Sequence, residues 1–392
     1  MIYINEINAA GKIAVDDTIL VKDVPATAGS KMLENFKPLF SAEAVERLEK
    51  AGYAVAGKTN VGEFGLDLMG ETSYFAPETE NGSLVGAAAS LVASGKVKAA
   101  LNVDLNGAPR RAAAVSCVDF IKPTYGTVSR YGIIACACSG EQIGVTAKNA
   151  DDAKEILSVI AGHDSKDGTS LPAEKYEYST EENVAEMKIC IAKELYDAAS
   201  AEVKAKIDGF AESLKKLGAK VEEVSLGMAE QAKTAWQILM SAETTNNLSR
   251  FDGVKYGYRT PEYKNIDELY VKSRSESMGF LAKATIIYGS DVLAKAKYEK
   301  CYDKSLRIRR IVCDKAREIL ADYDAILAPA CSQVSYKPYD TADAFEKVYE
   351  ESLFTAIPSI TGMPAMVTKG VQLIADSYKE SVLLSIAKSV EV

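Results

Sequence analysis

The sequence predicts an α/β protein in which a central mixed β-sheet is flanked by helices on both faces, as one compact domain. Three observations predict it. Strand-like and helix-like segments alternate through the first half, short apolar runs return towards the end, and no repeat or low-complexity linker divides the chain.

The elements are read in order. Ile19-Leu20-Val21 is a short apolar run expected to form a buried strand. A helix is expected over Ala42 to Ala51, where Ala44, Val45, Leu48 and Ala51 fall on one face, Ser41 is the N-cap candidate and Gly52 follows the end. Tyr53 to Gly57 reads as the next strand. Ala87 to Ser94 is a run of small residues suited to a closely packed internal helix, and Asn149 precedes a helix over Ala150 to Ala161. Residues 163–186 turn polar, which marks a surface excursion. Met187 to Ala192 resumes as a strand. Val203, Ile207, Phe210, Leu214 and Leu217 recur at helical spacing before Gly218. Val221, Val224 and Leu226 fit a strand less cleanly. Residues 230–325 read as mostly helical, with Leu293 to Tyr323 the longest stretch. Ala325 to Pro329 and Val371 to Ile374 are strands, and a helix runs to Val392.

Composition removes several functions. The chain has 46 Lys and Arg against 55 Asp and Glu, a net charge of -9, so no global field draws it to nucleic acid or an anionic membrane. Direct nucleic-acid binding is not expected. The first residues lack a basic segment followed by an apolar one, and nowhere do eighteen apolar residues run together. Neither a signal peptide nor a membrane span is expected. The seven cysteines (Cys117, Cys136, Cys138, Cys190, Cys301, Cys313 and Cys331) form no CxxC pair, and His163 is the one histidine. That pattern fits reduced thiols in a cytoplasmic protein and argues against a structural zinc site or a disulfide framework. No metal and no cofactor is expected. His163 follows Gly162 just past a helical run and reads as a loop or cap residue, not a base. Arg307 to Arg310, with Ile308 among them, reads as a solvated helix face.

Several stretches carry a resemblance. They are Ile19-Leu20-Val21-Lys22-Asp23, Ser30 to Phe36, Gly57-Lys58-Thr59-Asn60 with Glu63-Phe64, Lys122-Pro123-Thr124-Tyr125-Gly126, Val128 to Gly132 and Gln142-Ile143-Gly144. Phe251 to Arg259 and Thr361 to Ala365 extend it. Together they resemble the amidase signature family, and within it the glutamine-hydrolysing A subunits of tRNA-dependent amidotransferases. The resemblance implies the amidase-signature fold, with a signature core over about 16–170, a mostly helical continuation over about 171–330 and a return to the sheet over about 331–392. It also implies that the family's N-terminal helical arm is missing and its C-terminal end shortened.

The resemblance implies a chemistry as well: a serine attacks an amide, a second serine relays its proton, and a buried lysine is the base. A serine hydroxyl is a poor nucleophile until a neighbour takes its proton, and backbone N–H groups must hold the developing oxyanion. On these motifs the lysine falls on Lys22. The nucleophile ends an Asp-x-Gly-Gly-Ser turn, which here reads Asp104-Leu105-Asn106-Gly107-Ala108, so its position is Ala108. The relay serine belongs to a Gly-Gly-Ser-Ser-Gly-Gly-Ser stretch, here Gly82-Ser83-Leu84-Val85-Gly86-Ala87-Ala88, and its position is Leu84. A methyl and an isobutyl group cannot transfer protons. The oxyanion turn would keep its backbone at Leu105, Asn106 and Gly107, with Asn106 either straining it or refilling it. The arginine and aspartate that hold glutamine fall on Ala284 and Thr285 and on Ser352. Lys22 is then expected to be structural, paired with carbonyls or with a carboxylate such as Asp104. Ser83 is read as a turn residue, and Cys117, Cys136 and Cys138 as core packing, not as replacement nucleophiles. The expectation is a catalytically inactive member that binds, scaffolds or regulates, with homologous amidotransferase subunits or self-association as its partners. The alternatives are an amidohydrolase with a non-standard nucleophile, or a small-ligand binder using the altered pocket.

Overall fold

The computed structural model describes residues 1–391 apart from Glu174, so the expected last helical residue, Val392, and Glu174 in the polar excursion lie outside the described residues. The strands are β1 (Tyr3–Glu6), β2 (Ile13–Asp16), β3 (Val55–Thr59), β4 (Thr79–Glu80), β5 (Ser83–Leu84), β6 (Ala99–Asp104), β7 (Asp119–Lys122), β8 (Gln142–Ala147), β9 (Lys188–Ala192), β10 (Lys220–Val224), β11 (Ala325–Ala328), β12 (Ala365–Thr368) and β13 (Val371–Ile374). Eleven of them form one sheet in the order β1-β3-β2-β6-β8-β7-β12-β13-β11-β9-β10, and β4 pairs with β5 alone. The sheet is mixed. β3, β2 and β6 run parallel, as do β11, β9 and β10, while the strands between them are antiparallel.

Most central strands are buried on both faces, because helices cover both. Along β2, Ile13 and Val15 enter one hydrophobic cluster and Ala14 the other; along β11, Ala325 and Leu327 enter the first and Ile326 and Ala328 the second. The period-two alternation thus serves two cores. One face is covered by helices Glu43–Lys50, Ala150–Ile160, Ala201–Lys216 and Glu380–Glu391. The other carries Ala87–Ala93, Ala108–Ser116, Ala229–Leu248, Phe280–Leu293 and Lys304–Asp322.

Local signals act as expected at several ends. The Asn149 side chain accepts from Asp152 N, and the helix Ala201–Lys216 ends before Gly218, which takes φ 101°. Three expectations fail. Ile19-Leu20-Val21 is buried but is not a strand: Leu20 N donates to Gly132 O and Leu20 O accepts from Ala42 N, so its backbone bonds to loops. Ser41 does not cap its helix, because its hydroxyl accepts from Lys22 N. The stretch Leu293 to Tyr323 is broken at Ala294, where ψ is 141°, and resumes through a wide turn at Glu299–Asp303.

Two small helices set the spacing of the region that follows. In Ala87–Ala93 the residues Ala87, Ala88 and Ala89 are buried. A Cβ on Gly86 would lie 2.4 Å from Ala112 Cβ, so glycine lets this helix seat against Ala108–Ser116.

Candidate active site

Strand β6 ends at Asp104, and the chain turns through Leu105, Asn106 and Gly107 into the helix that begins at Ala108. Gly107 takes φ 86°, and a Cβ there would lie 2.4 Å from Thr355 Cγ2, so the turn requires glycine. Asp104 and Arg110, both fully buried, brace it. Arg110 Nε donates to Asp104 Oδ2 at 2.7 Å and Nη2 to Oδ1 at 3.1 Å, while Gly107 N donates to Oδ1 at 3.0 Å. The remaining guanidinium donors reach Thr355 O, Gln372 Oε1 and Ser359 Oγ. The Gly107 N–H is therefore committed to Asp104.

Asn106 refills the turn and does not strain it. Its backbone is not left-handed, and its Oδ1 accepts from Trp236 Nε1 at 2.9 Å, with both side chains fully buried.

Beside Ala108 lies a cavity of about 50 Å³. That is room for a few water molecules. Ala108, Leu105 and Pro109 line it together with Gly86 to Ala89, Thr18, Thr146 and three carboxyl residues, Asp16, Asp67 and Glu141. No serine, cysteine or lysine lines it among the described residues. Asp16, at the end of β2, accepts from Asn102 Nδ2 at 2.7 Å, Thr59 Oγ1 at 3.0 Å and Val103 N at 3.0 Å. Burial pushes its carboxyl up to about 7 against those bonds. Burial and the neighbouring Glu71 carboxylate push Asp67 up to about 8, and burial also raises Glu141. Of the threonines, Thr146 donates to Asn102 Oδ1 at 2.7 Å and the Thr18 hydroxyl has no partner, so neither is bonded to a titratable group. Asp16, Asp67 and Glu141 are the titratable side chains that line the cavity among the described residues.

Lys22 stands apart from the cavity. It is exposed and does not line the cavity, and Asp104 is paired with Arg110 instead. The fully buried lysines are Lys58 and Lys122. Lys58 Nζ lies 3.2 Å from Asp17 Oδ1; Lys122 donates to Met363 O, and burial lowers it to about 8. Neither lines the cavity. The group that does stand at the end of β2 beside the turn is Asp16. A polar residue closing a short apolar run at the carboxyl end of a strand was the available signal.

The other positions separate. Leu84 is buried on β5, its N–H donates to Tyr336 O at 2.7 Å, and it does not line the cavity. Ala284 lines a surface groove with Phe280, Ile287 and Phe345; Thr285 is buried in the same helix; Ser352 is buried with its hydroxyl on Tyr349 O. None of these three joins the cavity. Ser83 is half-buried on its hairpin. The Cys136 thiol contacts Thr244 Oγ1 and is pushed well up by burial. His163 Nδ1 meets Leu171 O in a loop. Arg307 and Arg310 pair with Asp303 and Asp314 along an exposed helix face. Among the described residues, no group of His, Cys, Asp and Glu is placed to hold a metal, and no helix is long and apolar enough to cross a membrane.

The mixed sheet covered by helices on both faces is an α/β architecture shared with a solved amidotransferase A subunit. The chain belongs to the amidase family, whose model, described as Amidase, matches residues 12–384. It is 39% identical over 399 residues to the A subunit of glutamyl-tRNA(Gln) amidotransferase of Agathobacter rectalis, covering 97% of this chain and 79% of that protein. The corresponding protein of Latilactobacillus sakei is 37% identical, covering 94% and 79%. The crystal structure of the A subunit of glutamyl-tRNA(Gln) amidotransferase from Thermotoga maritima superposes with a TM-score of 0.82 at 28% identity, over 99% of this chain and 84% of that one.

Proposed function

We propose that this amidase-family chain does not hydrolyse amides by the family's serine route and acts as a binding, scaffolding or regulatory protein. One observation carries the reading. Ala108 presents a methyl group to a cavity whose lining side chains offer carboxyl groups and two threonine hydroxyls but, among the described residues, no serine, cysteine or lysine. A hydroxyl needs a base bonded to it before it can attack. Losing one member of a comparable serine triad costs about a million-fold in turnover, leaving roughly a thousand-fold over water. Here the positions read for the nucleophile and relay carry Ala108 and Leu84, Lys22 stands exposed off the cavity, and Gly107 N–H is bonded to Asp104. The partners proposed are other amidotransferase subunits or a second copy of this chain, in keeping with relatives that are themselves amidotransferase subunits. The compartment proposed is the cytoplasm.

Labelling tests the reading. A fluorophosphonate probe for activated hydroxyls, followed by intact-mass measurement, is expected to give no adduct on the native chain. An adduct mapping to Thr18 or Ser83 would mean that another hydroxyl has been activated and the chain is a hydrolase.

A further inference from the structure

Two adjacent arginines are fully buried, and they are treated differently. Arg110 is bonded on every side, as described above. Arg111 donates from Nη2 to Thr355 Oγ1 at 2.9 Å, and its Nε and Nη1 have no partner. A guanidinium does not shed its proton in a protein, so this charge cannot be relieved by neutralisation. Buried with no carboxylate in ion-pair contact among the described residues, it is costly to hold.

A second buried donor without a partner belongs to a residue linked to Arg111 through Thr355. Trp236 Nε1 can only donate, so Asn106 must turn Oδ1 towards it, which leaves Nδ2 facing away and without a partner. Thr355 joins the two residues: its hydroxyl accepts from Arg111 and donates to Asn106 O at 3.1 Å. The guanidinium also lies within electrostatic reach of the Cys331 thiol and the Tyr339 phenol. Those side chains belong to the irregular segment 331–339, in which Gln333, Ser335 and Lys337 are exposed. A ligand would therefore enter by displacing a surface segment, not a helix or strand.

We propose that Arg111, with the Asn106 amide, forms a buried site for a singly charged carboxylate ligand beneath the 331–339 segment. A planar guanidinium edge matches the two oxygens of a carboxylate. The Glu71 and Glu351 carboxylates, bonded to Tyr339 and Tyr336 of the covering segment, disfavour a doubly charged phosphate more than a singly charged carboxylate. Neither Arg111 nor Thr355 lines the cavity beside Ala108, and the site stands whether or not the chain hydrolyses amides.

Thermal unfolding tests it with acetate and glutarate against their neutral counterparts acetamide and glutaramide, at ionic strength matched with sodium chloride. The native chain should show a saturable rise in Tm with at least one carboxylate, none with the amides, and a smaller effect of inorganic phosphate. Arg111→Met should abolish the response. Arg111→Lys keeps the charge without the planar fork and should weaken binding at least about tenfold. No response in the native chain, which would mean that ordered water fills the corner, overturns the proposal. So does an equal response to amides, a response that survives in Arg111→Met, or one that is undiminished in Arg111→Lys. Ammonia release measured on the same samples keeps this outcome separate from the question of hydrolysis.

Discussion

Replacing Arg110 by methionine is the sharpest test of how the turn is held. The side chain is fully buried and bonds both oxygens of Asp104, together with Thr355 O, Gln372 Oε1 and Ser359 Oγ. Methionine fills much of the volume but strands Asp104, also fully buried, with the Gly107 N–H bonded to it. Removing one partner of a buried pair costs about 3–5 kcal/mol, since the other charge stays buried and uncompensated. Three further acceptors lose their donor, and hydrogen bonds to a charged group contribute about 1.5–3 kcal/mol each, so the upper part of the range is expected. A loss of about 5 kcal/mol lowers the folded-to-unfolded ratio by more than about a thousand-fold. Equilibrium urea unfolding, followed by circular dichroism, reads it as a lowered midpoint. Arg110→Lys keeps a charge near Asp104 but cannot span all five acceptors, and should lose about half as much. If both variants lie within about 1 kcal/mol of the native chain, the turn is not braced by this pair and the account of it is wrong.

Other consequences are read in the same assay. Asp16 and Asp67 are raised to about 7 and about 8 in the fold, so between the unfolded carboxylate range and those values the folded state holds more protons than the unfolded one. Stability from these groups is then present at about pH 4 and is lost as pH rises through 7 and 8; Asp16→Asn should flatten that slope, and an unchanged slope contradicts it. Asn106→Ala leaves the buried indole N–H of Trp236 without an acceptor and should cost about 1–3 kcal/mol, with a shift in the emission of this single tryptophan. Lys22→Ala should be neutral within about 0.5 kcal/mol because the side chain is exposed, whereas Lys58→Met, which strands buried Asp17, should cost about 3–5 kcal/mol.

Much of the fold was legible because its signals are local or shared with a family. Asn149 and Gly218 mark helix ends by side-chain capping and a left-handed backbone, which depend on nearby residues alone. The turn from Asp104 to Ala108 was legible from its motif. What failed depends on pairing across the chain. Ile19-Leu20-Val21 looks like a strand because it is apolar, but the sheet position between β3 and β6 is taken by Ile13–Asp16. Lys22, the expected base, follows that later run and stands off the cavity, whereas Asp16, six residues earlier at the end of β2, lines it. The break at Ala294 has no glycine or proline to announce it. The Asn106 bond to Trp236 joins residues 130 apart in sequence, and the unpaired donors of Arg111 are visible only once its surroundings are packed.

The central claim is that this amidase-family chain has lost amide hydrolysis, and ammonia release tests it most directly. The native chain is incubated with glutamine, asparagine and a panel of simple primary amides, beside Asp16→Asn and Thr18→Val. No release above the uncatalysed background from any of the three is predicted. Turnover by the native chain that falls in either variant would contradict the claim, and would assign the chemistry to the carboxyl-lined cavity beside Ala108.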